Sequence, residues 1–352
     1  MITRIMRVDP KQPKEEHLKE AVEILAKGGL VIIPTETVYG IAGDSSNPQT
    51  IRRLYFIKKR PEGKPFSLHI ERKERIEDFA CDIPISAYKL IDRFWPGPLT
   101  IVLKSKDNQT VGLRMPDDEV ALEIIKRANV PIVCPSANLS GNPAPRDFSQ
   151  AIKDLDGLVD LAIDTGPTRL GIESTVVDLT KKPEVILREA AIKKEDIYQT
   201  INKKIVLFVC TGNSCRSVMA EALLKNKLKQ NNRTDVEVLS AGVAMLENLE
   251  ASFDTQELLK QEGIDVSGHR SKRLTEGMLK KSDIILVMER MQEERVIQMA
   301  PEVRNRLFLL KEFVKIKDNI LDIPDPIGTN RQFYEKVFIT IKEAVEEIAR
   351  II

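Results

Sequence analysis

The chain predicts two α/β units: a twisted mixed-sheet sandwich, then a doubly wound parallel sheet. Three observations carry this. At 352 residues the chain is long for one domain and comfortable for two. Before about residue 200, strand-like apolar runs and amphipathic helices alternate irregularly between polar loops. After residue 204 the alternation becomes regular, strand then helix, as in a flavodoxin-type sheet. We place the units at residues 1–200 and 201–352.

Taken in order, Leu18, Ala21, Val22, Leu25 and Ala26 form the apolar stripe of a helix over 17–27 that Gly28-Gly29 ends. Strands are expected at 30–33, 67–70, 99–104, 111–113, 131–134, 162–164, 175–179 and 185–188, and helices at 48–59, 85–94 and 120–128. No G-x-G-x-x-G occurs, so this unit is not a Rossmann half. Residues 189–204 are polar and short of glycine, a helical or extended connector. Beyond it come strand 205–209, helix 217–229, strand 236–239, helices 252–262 and 275–281, strand 284–288, helix 290–299, strand 307–309 and a last helix over 331–351.

Composition removes several function classes. No run of 18 apolar residues and no signal-peptide pattern occurs, so no membrane partner is expected and the cytoplasm is the expected compartment. Four irregularly spaced cysteines are no disulfide framework. Lys and Arg total 54 against 53 Asp and Glu, and aromatics are 5%, which disfavours nucleic acid as the main partner. No metal-ligand cluster stands out.

The sharpest stretch is Ile205–Ala222, IVLFVCTGNSCRSVMAEA. A β-branched strand runs into a polar loop and then into helix-favouring residues. Thr211, Gly212, Asn213, Ser214, Cys215 and Ser217 let successive backbone N–H groups converge, and the helix N-terminus adds positive charge. Arg216 offers a bidentate fork to the same oxyanion, and Cys210 a thiolate beneath it. This is a phosphate cradle with a nucleophile.

The first unit has no such loop. Its chemistry-bearing groups are dispersed: P-T-E-T-V-Y-G at 34–40, K-x-R-P at 58–61, S-x-N at 136–138 and E-S-T-V-V-D at 173–178. Taken singly, an Arg is more often a surface charge, His69 a satisfied core histidine, and Pro-Ser-Ala-Asn a turn. As an ordered set they resemble the YrdC-type threonylcarbamoyl-AMP synthases. That resemblance implies condensation of L-threonine, bicarbonate and ATP to threonylcarbamoyl-adenylate and pyrophosphate. A tRNA-modifying transferase complex would receive the adenylate to make N6-threonylcarbamoyladenosine at tRNA position 37. It also implies ATP contacts from Lys58, Arg60, Lys64, Thr110, Asn138, Arg146 and Arg188, and threonine contacts from Thr37, His69, Arg114, Ser136 and Ser174. Mg²⁺ would bridge phosphates rather than sit in a protein cage. A double-stranded-RNA-binding module is the competing class for this half, disfavoured by the balanced charge.

In the second unit C-T-G-N-S-C-R-S at 210–217, S-A-G at 240–242 and D-P at 325–326 resemble the low-molecular-weight protein phosphatases. The resemblance makes Cys210 the nucleophile, Arg216 the oxyanion clamp and Asp325 the proton donor to the leaving group, acting on a phosphorylated protein. Tyrosine-directed members usually have an aliphatic residue at the Ser214 position and aromatics after Asp-Pro. Here a hydroxyl stands at 214, and Ile327-Gly328 follow Asp325-Pro326. The protein-arginine phosphatases have a Thr at the Ser214 position, so phosphoarginine is favoured over phosphotyrosine. Val218 replaces the family's usual Pro. Arsenate reduction is disfavoured, because no cysteine follows Cys215 to carry a disulfide away. Cys215 either forms a reversible disulfide with Cys210 or packs beneath the loop.

Overall fold

The computed structural model describes residues 2–61, 65–107, 109–244, 247–316 and 320–352. It divides into two compact units, Met1–Ile201 and Asn202–Ile352.

The first unit holds a mixed sheet of β1 (Arg4–Arg7), β2 (Val31–Ile33), β3 (Gly40–Asp44), β4 (Leu68–His69), β5 (Leu99–Lys104), β6 (Thr110–Arg114), β7 (Ile132–Val133), β8 (Leu161–Asp164), β9 (Thr175–Asp178) and β10 (Val185–Arg188). Their order is β1-β8-β2-β3-β7-β4-β6-β5-β9-β10. The core lies on both faces. Val31 and Ile33 point into one cluster with Leu18, Leu25, Val120 and Ile124. Leu30 and Ile32 point into the other, with Leu54, Leu90 and Ile101. A strand with both sides covered reads as an unbroken apolar run, which is why this one was legible.

Two strands escaped the sequence reading. Gly40–Asp44 carries two glycines and an aspartate, all unfavourable for strand, yet it is wholly buried between β2 and β7. Arg4–Arg7 is a short, mostly exposed edge strand beside β8. Helix Phe148–Lys153, capped by Asp147, was also missed. The connector contains a helix, Lys194–Asn202, with Ile197 and Thr200 buried.

The second unit is built on β11 (Lys204–Cys210), β12 (Val236–Gly242), β13 (Ile284–Val287) and β14 (Leu307–Leu309), all parallel in the order β12-β11-β13-β14. From β11, Val206, Phe208 and Cys210 face the cluster that includes Met219 and Ile341. Leu207 and Val209 face the cluster that includes Ile285 and Val296. The strand order reverses around β11, whose carboxyl end is therefore where a doubly wound sheet binds ligands. Cys210 is its last residue.

Candidate active sites

The loop after β11 turns through Asn213, in left-handed backbone conformation at φ 51°. That turn brings the Asn213 N–H to 3.3 Å from Cys210 Sγ, and Ser217 Oγ lies 3.0 Å from the same sulfur. Asn213 is the hub of the loop. Its Nδ2 donates to Ser217 Oγ (2.9 Å) and Ser240 Oγ (2.8 Å), and its Oδ1 accepts from Lys272 N (2.8 Å). Its carbonyl oxygen lies 2.8 Å from His269 Nε2. Gly242 of the S-A-G motif must be glycine, since a Cβ there would stand 2.7 Å from Thr211 O.

Arg216 opens helix Arg216–Gln230 and is 1% exposed. One terminal nitrogen donates to Glu289 Oε2 (2.5 Å) and Ile323 O (2.8 Å). The other donates to Thr211 Oγ1 (3.2 Å) and to Asp325. Its Nε–H is buried with no hydrogen-bond partner among the described residues. A buried cationic N–H left unmatched costs free energy, and a phosphoryl oxygen is the acceptor that would relieve it. Asp325 thus rests on the arginine that a phosphate would claim. Cys215 lies with its sulfur 3.2 Å from Ser252 Oγ and 3.3 Å from the Tyr334 hydroxyl, and all four cysteines are free. Ser214 is buried, and its carbonyl accepts from Ser252 N (2.9 Å).

Glu289, Gln292 and His269 were not foreseen. Glu289 and Gln292 show only a helix-start pattern in sequence, yet together they hold Arg216 and Thr211.

The first unit assembles a cavity of about 490 Å³ from β4, β5, β6, β9, β10 and their loops. Lys58, Arg60, Thr110 and Arg188 line it, as do His69, Arg114, Ser136 and Ser174. The Lys58 ammonium donates to Ser136 O and Asn138 O (both 2.6 Å) and to Asn138 Oδ1 (2.9 Å). Burial, with Arg60 nearby, holds its pKa down to about 8. Lys58 and Asn138 therefore brace the loop that presents Ser136. Arg60 stacks its guanidinium 5.1 Å from the Phe66 ring centre. Arg188 pairs with Glu173 and donates to Ser174 O (2.9 Å) and Ser174 Oγ (3.2 Å).

At another part of the wall Arg114 donates to Glu36 Oε1 (2.7 Å) and Thr37 Oγ1 (2.8 Å). Thr37 thus reaches the site through Arg114. Glu36 went unassigned in sequence and is almost fully buried. Its Oε2 and His69 Nδ1 are buried with no hydrogen-bond partner among the described residues. Burial, and the neighbouring Arg114, push the His69 pKa down to about 3, so the ring is neutral. Burial pushes the Cys134 thiol up to about 12. Gly40 closes P-T-E-T-V-Y-G because a Cβ there would collide with Cys134 Sγ. One expected contact falls elsewhere. Arg146 is exposed and absent from the cavity lining, its turn tied to Thr168 through backbone. Lys64 lies outside the described residues.

Among the described residues no helix is long and apolar enough to cross a membrane, and no group of three or more His, Cys, Asp or Glu could hold a metal.

Comparison with known proteins places both units. Residues 23–190 match the Sua5_yciO_yrdC family model, described as "Telomere recombination", and residues 205–352 match that of the low molecular weight phosphotyrosine protein phosphatases. The threonylcarbamoyl-AMP synthase of Pyrococcus abyssi is 39% identical over 199 residues, 54% of this chain and 58% of that protein. The chain thus spans somewhat over half the length of that relative. A protein of Methanocaldococcus jannaschii, given the same name provisionally, is 34% identical over 189 residues, 51% of this chain and 89% of its own. The structure of P. abyssi Sua5 complexed with L-threonine superposes with a TM-score of 0.55 at 27% identity, covering 87% of this chain and 99% of that one. The chain belongs to the Sua5/YciO/YrdC family, and a low-molecular-weight phosphatase domain continues it from residue 205.

Proposed function

We propose that the chain is bifunctional: an ATP-dependent threonylcarbamoyl-AMP synthase followed by a protein phosphatase that prefers phosphoarginine. For the first unit the carrying observation is the cavity wall around Arg114. The guanidinium there suits an amino-acid carboxylate, and the unmatched His69 Nδ1 of the same lining suits a hydroxyl. The relatives' name, and the L-threonine of the P. abyssi structure, support threonine as that amino acid. Arg60 and Arg188 line the same cavity, which supports a role in neutralising ATP phosphates. The threonine nitrogen, deprotonated, takes its carboxyl carbon from bicarbonate with loss of water. The carbamate oxygen then attacks the α-phosphorus as pyrophosphate leaves. No side chain becomes covalent, so catalysis is positioning and charge neutralisation. The acidic groups of the lining are engaged, Glu173 by Arg188 and Asp178 by Thr180, as is Glu36 behind it by Arg114. An ATP-borne Mg²⁺ would therefore be held through phosphate oxygens, where it would neutralise charge. Pyrophosphate release that requires both threonine and bicarbonate tests this reading; strong salt-dependent duplex-RNA binding without turnover would replace it.

For the second unit the carrying observation is Cys210 beneath a loop whose Arg216 Nε–H lacks an acceptor. The Cys210 thiolate forms the S–P bond in line as the P–N or P–O bond breaks. The phosphoryl group displaces Asp325 from Arg216; without that counter-charge the carboxylate takes up the proton that the Cys210 thiol loses on becoming the thiolate, and passes it to the leaving atom. Water then attacks phosphorus, giving its proton to Asp325 and releasing phosphate and the thiolate. The Ser214 hydroxyl, with Ile327 instead of an aromatic residue after Asp-Pro, supports a guanidinium over a phenyl ring. Rates on phosphoarginine and phosphotyrosine peptides decide between them.

A further inference from the structure

We propose that a cavity behind the phosphate loop is a second ligand site of the phosphatase unit, suited to a small amphipathic anion, and that its occupancy is felt at Cys210. The cavity holds about 460 Å³, the size of a small-molecule site. One wall is a face of helix Arg216–Gln230, where Val218, Ala222, Lys225 and Lys229 recur at helical spacing. The other is the turn over 263–269. Gly263 reverses the chain at φ +74°, Ile264 N bonds back to Leu259 O (2.9 Å), Asp265 Oδ1 accepts from Ser267 N (2.9 Å), and His269 N bonds to Val266 O (2.9 Å). Both walls are therefore fixed by backbone.

The lining separates by chemistry. Val218 and Ala222 are buried, and Ile264 and Val266 half-buried, giving an apolar floor. Lys225 and Lys229 are exposed cations beside it. Of the two carboxylates, Glu221 is committed to Ser240 and Lys225, and Asp265 to its own turn. A flat apolar body with one carboxylate matches this arrangement.

The link to the loop is short. The His269 imidazole, part of the cavity lining, has its Nε2 2.8 Å from Asn213 O. Glu221 accepts from the Ser240 hydroxyl, which Asn213 Nδ2 also contacts, and Asn213 in turn reaches Ser217 beside Cys210. Val218 follows Ser217 directly and forms part of the floor. An anion that draws Lys225 from Glu221 alters this chain of bonds, and linkage makes the coupling reciprocal. The coupling rests on the phosphatase reading; the binding does not.

The test uses the full chain, 2-naphthoate as probe, 2-naphthylmethanol as its neutral counterpart, and orthovanadate to fill the phosphate loop. Calorimetry should show saturable naphthoate binding that survives vanadate and exceeds that of the alcohol at least fivefold. Lys229→Ala and, separately, Val266→Glu should each weaken it at least fivefold while basal turnover of p-nitrophenyl phosphate stays as in wild type. Saturating naphthoate should change wild-type turnover at least twofold and leave both variants unmoved. Binding lost to vanadate, equal for the alcohol, or indifferent to both variants overturns the site. Binding without a change in rate overturns the coupling. A chain that binds naphthoate yet hydrolyses no phosphate ester overturns the phosphatase reading and leaves the site standing.

Discussion

The two sites proposed to handle phosphate are built in opposite ways. In the second unit the nucleophile, the loop amides and the arginine lie within Cys210–Ser217, on one strand–loop–helix connection. In the first, the charged and hydroxyl groups come from five strands and the loops between them, and none is a nucleophile poised for attack. The difference follows from the chemistry proposed for each. Covalent transfer needs one activated group held close to its oxyanion donors, which a short loop provides. Joining two substrates needs separate positions for each, which only a wide sheet surface supplies.

Loss of the nucleophile should separate the two sites most sharply. Cys210→Ser is expected to lower phosphopeptide hydrolysis by about 10⁴-fold or more while pyrophosphate release in the synthase assay stays at wild-type rate. A fall in both rates would mean the sites are not independent. Next, Arg216→Lys removes the planar fork and the unmatched Nε–H, so kcat/KM for hydrolysis should drop roughly 10² to 10³-fold; a drop below tenfold would show that the loop amides alone hold the phosphate.

In the dispersed site, individual residues should matter more for folding. Glu36→Gln leaves Arg114 buried without its counter-charge, which costs about 3 kcal/mol or more of stability. Urea unfolding read on a probe in the first unit checks this, and an unchanged midpoint would refute it. His69 gives a pH signature. Its folded pKa of about 3 lies below the ordinary 6.5, so the unfolded chain binds more protons between those values. Stability is therefore full above about pH 6.5 and lost as pH falls, by about 2 kcal/mol from pH 7 to 5 for this group. His69→Asn should flatten that slope; equal slopes would place the acid sensitivity elsewhere. The smallest effect is Ser214→Ile, expected to shift the phosphoarginine-to-phosphotyrosine ratio about tenfold towards tyrosine. Equal ratios before and after would remove Ser214 as the discriminating residue.

Legibility followed the same divide. Cys210, Arg216 and the loop between them could be read because their contacts are local: a buried strand, a left-handed Asn213 and a helix start are all properties of adjacent residues. Glu289, Gln292 and His269 could not, since each meets the loop across a large sequence separation. In the first unit, Gly40–Asp44 looked unlike a strand because its pairing partners, not its propensity, make it one. That Lys58 braces the 136–138 loop is visible only in its three short bonds to that loop.

By itself the sequence determined the two-unit α/β plan, through hydrophobic period and length, and the phosphate loop, through local backbone demands. Tertiary structure decided which dispersed cations share a cavity: Arg60, Arg114 and Arg188 do, while Arg146 does not. It also decided that Asp325 rests against Arg216 and that a second cavity lies behind the loop. Contacts between residues far apart in the chain depend on strand order and register, and no local pattern encodes those.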